Sequence, residues 1–182
     1  MGLTAAVILA QTSSFLVFAL MAWWHAAPRL RAMSRVATLT PLIWVHGFRQ
    51  IALVLFSVNE LQNGVIPPAA RDQIAYGDYI GFLLAILSLI LLRYRPAWAV
   101  PVVWLLVIAT VVDLGNAIIV GVQEELLGAA FGVAWSILGL YVPLLWLSVV
   151  LIAWQLLSRP GEPLEARVTR ARGRSRPAAA RG

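Results

Sequence analysis

Five long apolar runs, at residues 3–24, 38–58, 73–92, 99–121 and 128–156, are parted by short stretches that collect most of the charge. Each run reaches the ~20 residues that a helix rising ~1.5 Å per residue needs to cross a hydrocarbon core ~30 Å thick. The pattern predicts an all-α integral membrane protein, a five-helix transmembrane bundle over residues 1–157 with a tail at 158–182. Composition agrees, with 61% apolar and 12% charged residues and a mean hydropathy of +0.84 in 182 residues. Such a balance belongs to a chain whose solvent is largely lipid.

Charge sets the expected orientation. Arg29, Arg31 and Arg35 follow the first run, Arg93 and Arg95 the third and seven arginines the fifth, whereas the loops on the other side hold only Arg71. Basic residues gather on the cytoplasmic side, so the N-terminus is expected outside and the C-terminus in the cytoplasm. Trp23, Trp24, Trp98 and Trp154 lie near the expected inner ends, as an interfacial aromatic belt requires, and Glu60, Asp72, Glu124 and Glu125 fall on the outer side. His25-Ala26-Ala27 before Pro28 has the small residues of a cleavage site. The first run nevertheless lacks a basic leader and carries its arginines after it, so it is expected to be kept as a span.

All fourteen basic residues are arginine, and cysteine is absent. With no lysine there is no retinal or other Schiff base, and with no cysteine no disulfide, thiol nucleophile or thiolate metal site. Arginine usage beside abundant alanine and glycine points to a bacterial chain, and hence to the inner membrane. In the tail, arginines alternate with Pro, Gly and Ala and only Glu162 and Glu165 oppose them. That stretch is expected to be disordered and to touch anionic lipid. No aromatic residue interleaves its arginines, which argues against nucleic acid as a partner.

Three charges stand inside the apolar runs: Arg49 in the second, Asp78 in the third and Asp113 in the fourth. Each costs roughly 2.5–3.5 kcal/mol at mid-membrane, so three at similar depth suggest one buried polar site. At helical rise Arg49 lies about 14 Å, Asp78 about 8 Å and Asp113 about 12 Å from the outer ends of their runs, so one guanidinium could meet either carboxylate or both. Gln11 in the first run shares the level, and Asn116 and Thr110 stand one turn either side of Asp113. His46, Arg49 and Gln50 have the i, i+3, i+4 spacing of one helical stripe. In the fifth run Tyr141 is a ligand-orienting candidate. Pro143 should leave the Gly139 carbonyl without its helical partner, as a further acceptor. Gly77, Gly81 and Ala85 have the small-residue spacing of close helix packing.

His25 and His46 are the only histidines, and their depths match poorly for a bis-histidine haem; too few ligands share a level for a metal site. No nucleophile triad, phosphate-binding glycine loop, zinc-protease or dinucleotide motif is present at the required spacing, so catalysis has no support and no cofactor is expected. In size, number of spans and tryptophan content the chain resembles the tryptophan-rich translocator-protein family. That family's aromatic and proline pattern is absent from 42–59 and 135–154, so no residue role follows.

The expected function is binding or translocation of a small polar or anionic ligand at Arg49, Asp78 and Asp113, with Asn116, Gln11, His46, Gln50 and Tyr141 around them. The alternative is a membrane scaffold or accessory subunit in which the same charges pin helices and the apolar faces meet a membrane partner or a second copy. A haem-based redox or sensory protein stands third.

Overall fold

The computed structural model describes residues 2–57, 66–129 and 132–160, and every regular element among them is helical. Five helices are long and apolar enough to cross a membrane. They are α1, Leu3–Ala32; α2, Arg35–Phe56; α3, Pro68–Tyr94; α4, Pro96–Gln123; and α5, Gly132–Ser158. A single further turn, Leu126–Ala129, precedes α5. The first helix outruns its apolar run by eight residues, and the fifth begins at Gly132, four residues later than the pattern predicts. Beyond Pro160 the expected tail lies outside the described residues.

Tight connections fold the chain back on itself. Met33 and Ser34 have extended backbone, and the Ser34 hydroxyl accepts from the Ala37 N–H at 3.4 Å, so α2 starts on a side-chain cap two residues after α1 ends. Arg95 alone separates α3 from α4, with Pro96 at the first helical position, where its missing N–H costs nothing.

Prolines explain two irregular turns. Ala22–Ala26 in α1 and Ile137–Tyr141 in α5 are π-turns, with the N–H groups of Ala27 and Val142 donating to the carbonyls of Ala22 and Ile137. Each lies just before a proline, Pro28 or Pro143, whose ring would meet the carbonyl four residues back in a regular helix. The wider turn takes up that clash. Gly139 is where α1 approaches α5: a Cβ there would stand 3.4 Å from the Ala10 Cβ, so this glycine serves close packing.

α2 changes character midway. Its α-helical part ends at His46, Gly47 and Phe48 form a turn, and Arg49–Phe56 continues as a 3₁₀ helix. With three residues per turn, Arg49, Ala52 and Leu55 align on the inner face, and Gln50, Leu53 and Phe56 on an exposed one. The expected His46–Arg49–Gln50 stripe is therefore split: His46 and Arg49 point in and Gln50 points out.

α3 and α4 pack along their length, α2 packs on α3 and α5, and α5 also contacts α4, giving a four-helix ring with α1 laid against α5. α1 is the peripheral member, with only Val7, Ala22 and Leu30 buried. At the end where Arg29, Arg31, Arg35, Arg93 and Arg95 gather, the ring is filled by Leu39, Ile43, Ala85, Ala99, Val103, Leu106, Ile152 and Leu156. Arginines also close this end. Arg159 donates to the carbonyls of Met33, Leu30 and Arg31 at 2.7, 3.0 and 2.8 Å, and Arg35 to that of Leu156 at 3.3 Å. Both guanidiniums thus meet the orphan carbonyls and negative pole of a helix C-terminus. Arg159, counted with the tail in the sequence reading, belongs to the bundle.

Candidate functional site

At mid-bundle the apolar filling gives way to a charge cluster. Arg49, projected inward by the first 3₁₀ turn, is fully buried; its Nε donates to Asp78 Oδ1 at 2.7 Å, its Nη1 to Thr110 Oγ1 at 2.9 Å, and its Nη2 pairs with Asp113 Oδ2. One side chain from α2 thereby ties α3 to α4. The guanidinium fork suits two carboxylates approaching from different sides, which a lysine ammonium would not hold in fixed directions.

Glycines make room for this. A Cβ on Gly81 would lie 2.8 Å from Arg49 Nε and closer still to its Cζ and Nη1, and one on Gly77 would overlap the Asp113 carboxylate. The small-residue spacing on α3 reads from sequence as helix packing; in the fold Gly77 and Gly81 are the bed in which the ion pair lies, and Ala85 packs in the apolar half. Thr110, a neighbour of Asp113 in sequence, becomes a third partner of Arg49.

Beyond the cluster, away from the arginine end, lies a cavity of about 250 Å³. Its walls are mostly aliphatic, including Ala52, Leu55, Leu114, Ala117 and Leu138, and its polar groups are Asp78, Asp113, Gln11 and Tyr141. The Asp78 and Asp113 side chains are 17% and 13% exposed, against 0% for Arg49. Asp78 and Asp113 thus line the cavity, while the guanidinium does not reach it. Arg49 itself has each of its three guanidinium nitrogens engaged and no exposed surface, the position of a charge-compensating group.

The other expected residues divide. Gln11 reaches the cavity wall. Tyr141 does too, with its hydroxyl donating to the Val45 carbonyl at 2.7 Å, so that only its lone pairs remain for a ligand. Asn116 instead accepts from Gln73 Nε2 at 2.8 Å, an α3–α4 bridge nearer the far end. His46 is fully buried, with Nε2 2.9 Å from Ser148 Oγ, and this hydroxyl also donates to the Leu145 carbonyl at 2.8 Å. A hydroxyl has one proton, so His46 Nε2–H is the donor when Ser148 serves Leu145. His25 is exposed on α1, so the two histidines do not face one another as a haem pair would. Gln50 lies on the outer face of α2.

The cavity wall is thus rich in acceptors. Two carboxylates retain lone pairs beyond those used by Arg49, Tyr141 offers only acceptance, and Gln11 alone brings donors as well. With both carboxylates ionised, one guanidinium leaves one negative charge uncompensated.

Comparison with known proteins gives a family and no function. No curated protein and no solved structure matches the chain. A family match spans residues 6–157, which takes in nearly all of the five-helix bundle, and on it the chain belongs to the family described as a domain of unknown function, DUF8737.

Proposed function

We propose that the protein is a multi-pass membrane protein that binds a small molecule with an apolar body and a cationic or hydrogen-bond-donating head in the cavity above the Arg49–Asp78–Asp113 cluster. The carrying observation is the sign of the wall: the partly exposed Asp78 and Asp113 side chains line the space and the fully buried guanidinium does not. Aliphatic walls with a few convergent polar groups are the usual make-up of a small-molecule site. A cation entering it regains, from Asp78 and Asp113, part of the solvation it leaves behind. Arg49 is then the counter-ion that keeps two carboxylates tolerable at this depth. Because the arginine-end half is filled by apolar side chains, the reading is binding, and translocation requires that half to rearrange.

The proposed orientation puts the arginine end in the cytoplasm and the cavity toward the outside of a bacterial inner membrane. It is supported by Arg29, Arg31, Arg35, Arg93, Arg95 and Arg159 on one end of the bundle, with exposed Trp23, Trp24 and Trp98 beside them. Anionic lipid at the arginine-rich tail fits the same orientation. Reporter fusions at each terminus test it, and an N-terminal fusion active in the cytoplasm would overturn it.

Ligand class is tested with two probes of similar size and opposite charge. Benzylammonium should raise the thermal unfolding temperature of the detergent-solubilised protein and benzoate should not, and Asp113→Asn should abolish the difference. Stabilisation by benzoate alone would overturn the reading.

One observation favours a second reading. A fully buried Arg49 with a partner on each of its three nitrogens is also what a purely structural pin between α2, α3 and α4 requires, as in a scaffold or accessory subunit. In that case neither probe shifts the unfolding temperature.

A further inference from the structure

The cavity shares part of its wall with a second, shallower space of about 590 Å³ on the outside of the bundle, between α2 and α5. Ile51, Ile137 and Tyr141 line both spaces, so at this point the partition between the cavity and the lipid-facing surface is one layer of side chains thick. The groove is apolar, and Trp44 and Phe48 on its lips are exposed, as side chains directed at lipid would be. Both backbones that carry the partition depart from the α-helix: Ile51 is on the 3₁₀ segment of α2, and Ile137 and Tyr141 bound the π-turn of α5. Such ladders have weaker hydrogen-bond geometry than an α-helix and recur where helices shift. The Tyr141 hydroxyl, donating to the Val45 carbonyl, ties the two helices across the partition.

We propose that this partition is a lateral gate through which the ligand enters the cavity from the bilayer, with the Tyr141–Val45 hydrogen bond as its latch. The proposal rests on the binding reading above and names the ligand's source: an apolar cation dissolved in the membrane, not one arriving from water. Such a molecule is concentrated in the bilayer before it meets the protein. The groove delivers its apolar body between α2 and α5, and the carboxylates receive its head at the end of the path.

The chain has no cysteine, so Ala117→Cys, on the cavity wall one turn from Asp113, gives a single reporter whose labelling needs no ligand. Full-length protein in phosphatidylcholine vesicles is labelled with a membrane-partitioning phenylmaleimide and, in parallel, with a membrane-impermeant charged methanethiosulfonate supplied on both sides. Labelling should be fast with the first reagent and slow with the second. Loss of the latch in Tyr141→Phe should raise the first rate about two- to tenfold, the range set by one net hydrogen bond. Ile137→Trp, which thickens the partition, should lower it, and Ile51→Trp is a second plug from the opposite helix in case the first disturbs packing. Equal labelling by both reagents, or rates that neither plug changes, would overturn the gate, as would a reporter that neither reagent reaches. If labelling follows the expected order but benzylammonium fails to protect the reporter, the gate stands and the ligand class falls.

Discussion

The two halves of this bundle are built from the same helices and solve different problems. At the arginine end, Leu39, Ile43, Ala99, Val103, Ile152 and Leu156 fill the ring, and Ser88, a polar group buried there, turns its hydroxyl back to its own helix at Leu84, 2.7 Å away. At the opposite end the same ring holds an ion cluster and leaves a cavity open. The first half coheres by close contact of apolar side chains, many individually weak dispersion contacts that sum to a large one. The second half trades contact for directional bonds. The cluster gives α2, α3 and α4 one permitted register, and the backbone departs from the α-helix around it, in the 3₁₀ turn that carries Arg49 and the π-turn before Pro143. The lesson is that order in the lower-density half depends on a few charged contacts, whereas in the other it is spread over many weak ones.

That contrast can be broken most sharply at Arg49. Removing one member of a buried ion pair strands the rest, at roughly 3–5 kcal/mol, so Arg49→Leu should destabilise by that order, measured as reversible unfolding in mixed micelles. Because two carboxylates are stranded, Asp113→Leu should recover only part of the loss. The triple variant that adds Asp78→Asn should recover most of it. Additive losses would show that the three groups do not interact.

In the apolar half the expected effect comes from lost contact instead. Ile152→Ala should cost about 2–5 kcal/mol, as large-to-small changes in packed cores do. It should also leave the response to benzylammonium intact. A loss of ligand response would show that the halves are coupled.

Glycine substitutions sharpen the comparison at lower amplitude. Gly81→Ala pushes a methyl into the guanidinium and should cost about 1–3 kcal/mol. Gly115→Ala, with nothing within 4 Å of its Cβ, should instead gain roughly 0.5–1 kcal/mol. Equal effects at the two positions would contradict the role given to Gly81 as the bed of the cluster.

The smallest effect is expected at the arginine end. A chain ending after Leu157 loses the Arg159 cap on α1 and should be less stable by about 1 kcal/mol, the scale of a few partly exposed bonds to a helix terminus. One ending after Pro160 keeps the cap and should match the full chain in the same unfolding assay.

By itself the sequence determined the number of long helices, their approximate extents and the presence of three charged side chains, Arg49, Asp78 and Asp113, in apolar runs. Each of these follows from local quantities, namely length at a fixed rise and the cost of charge in hydrocarbon. Depth arithmetic alone also set Arg49, Asp78 and Asp113 at levels from which they could meet. What arithmetic cannot supply is direction. A change from α to 3₁₀ winding after His46 turned Gln50 outward while keeping Arg49 inward, and no residue spacing announces that change, because a lone glycine is tolerated in many helices. Neighbours across the ring decided the rest. Thr110 became a partner of Arg49, Gln73 drew Asn116 away from the cluster, and Gly77 and Gly81 became a bed for charge. Which face of the ion cluster meets the cavity is likewise a tertiary fact: the same three residues would present a cation or an anion according to which side the helices leave open, and here they leave open the side of the carboxylates.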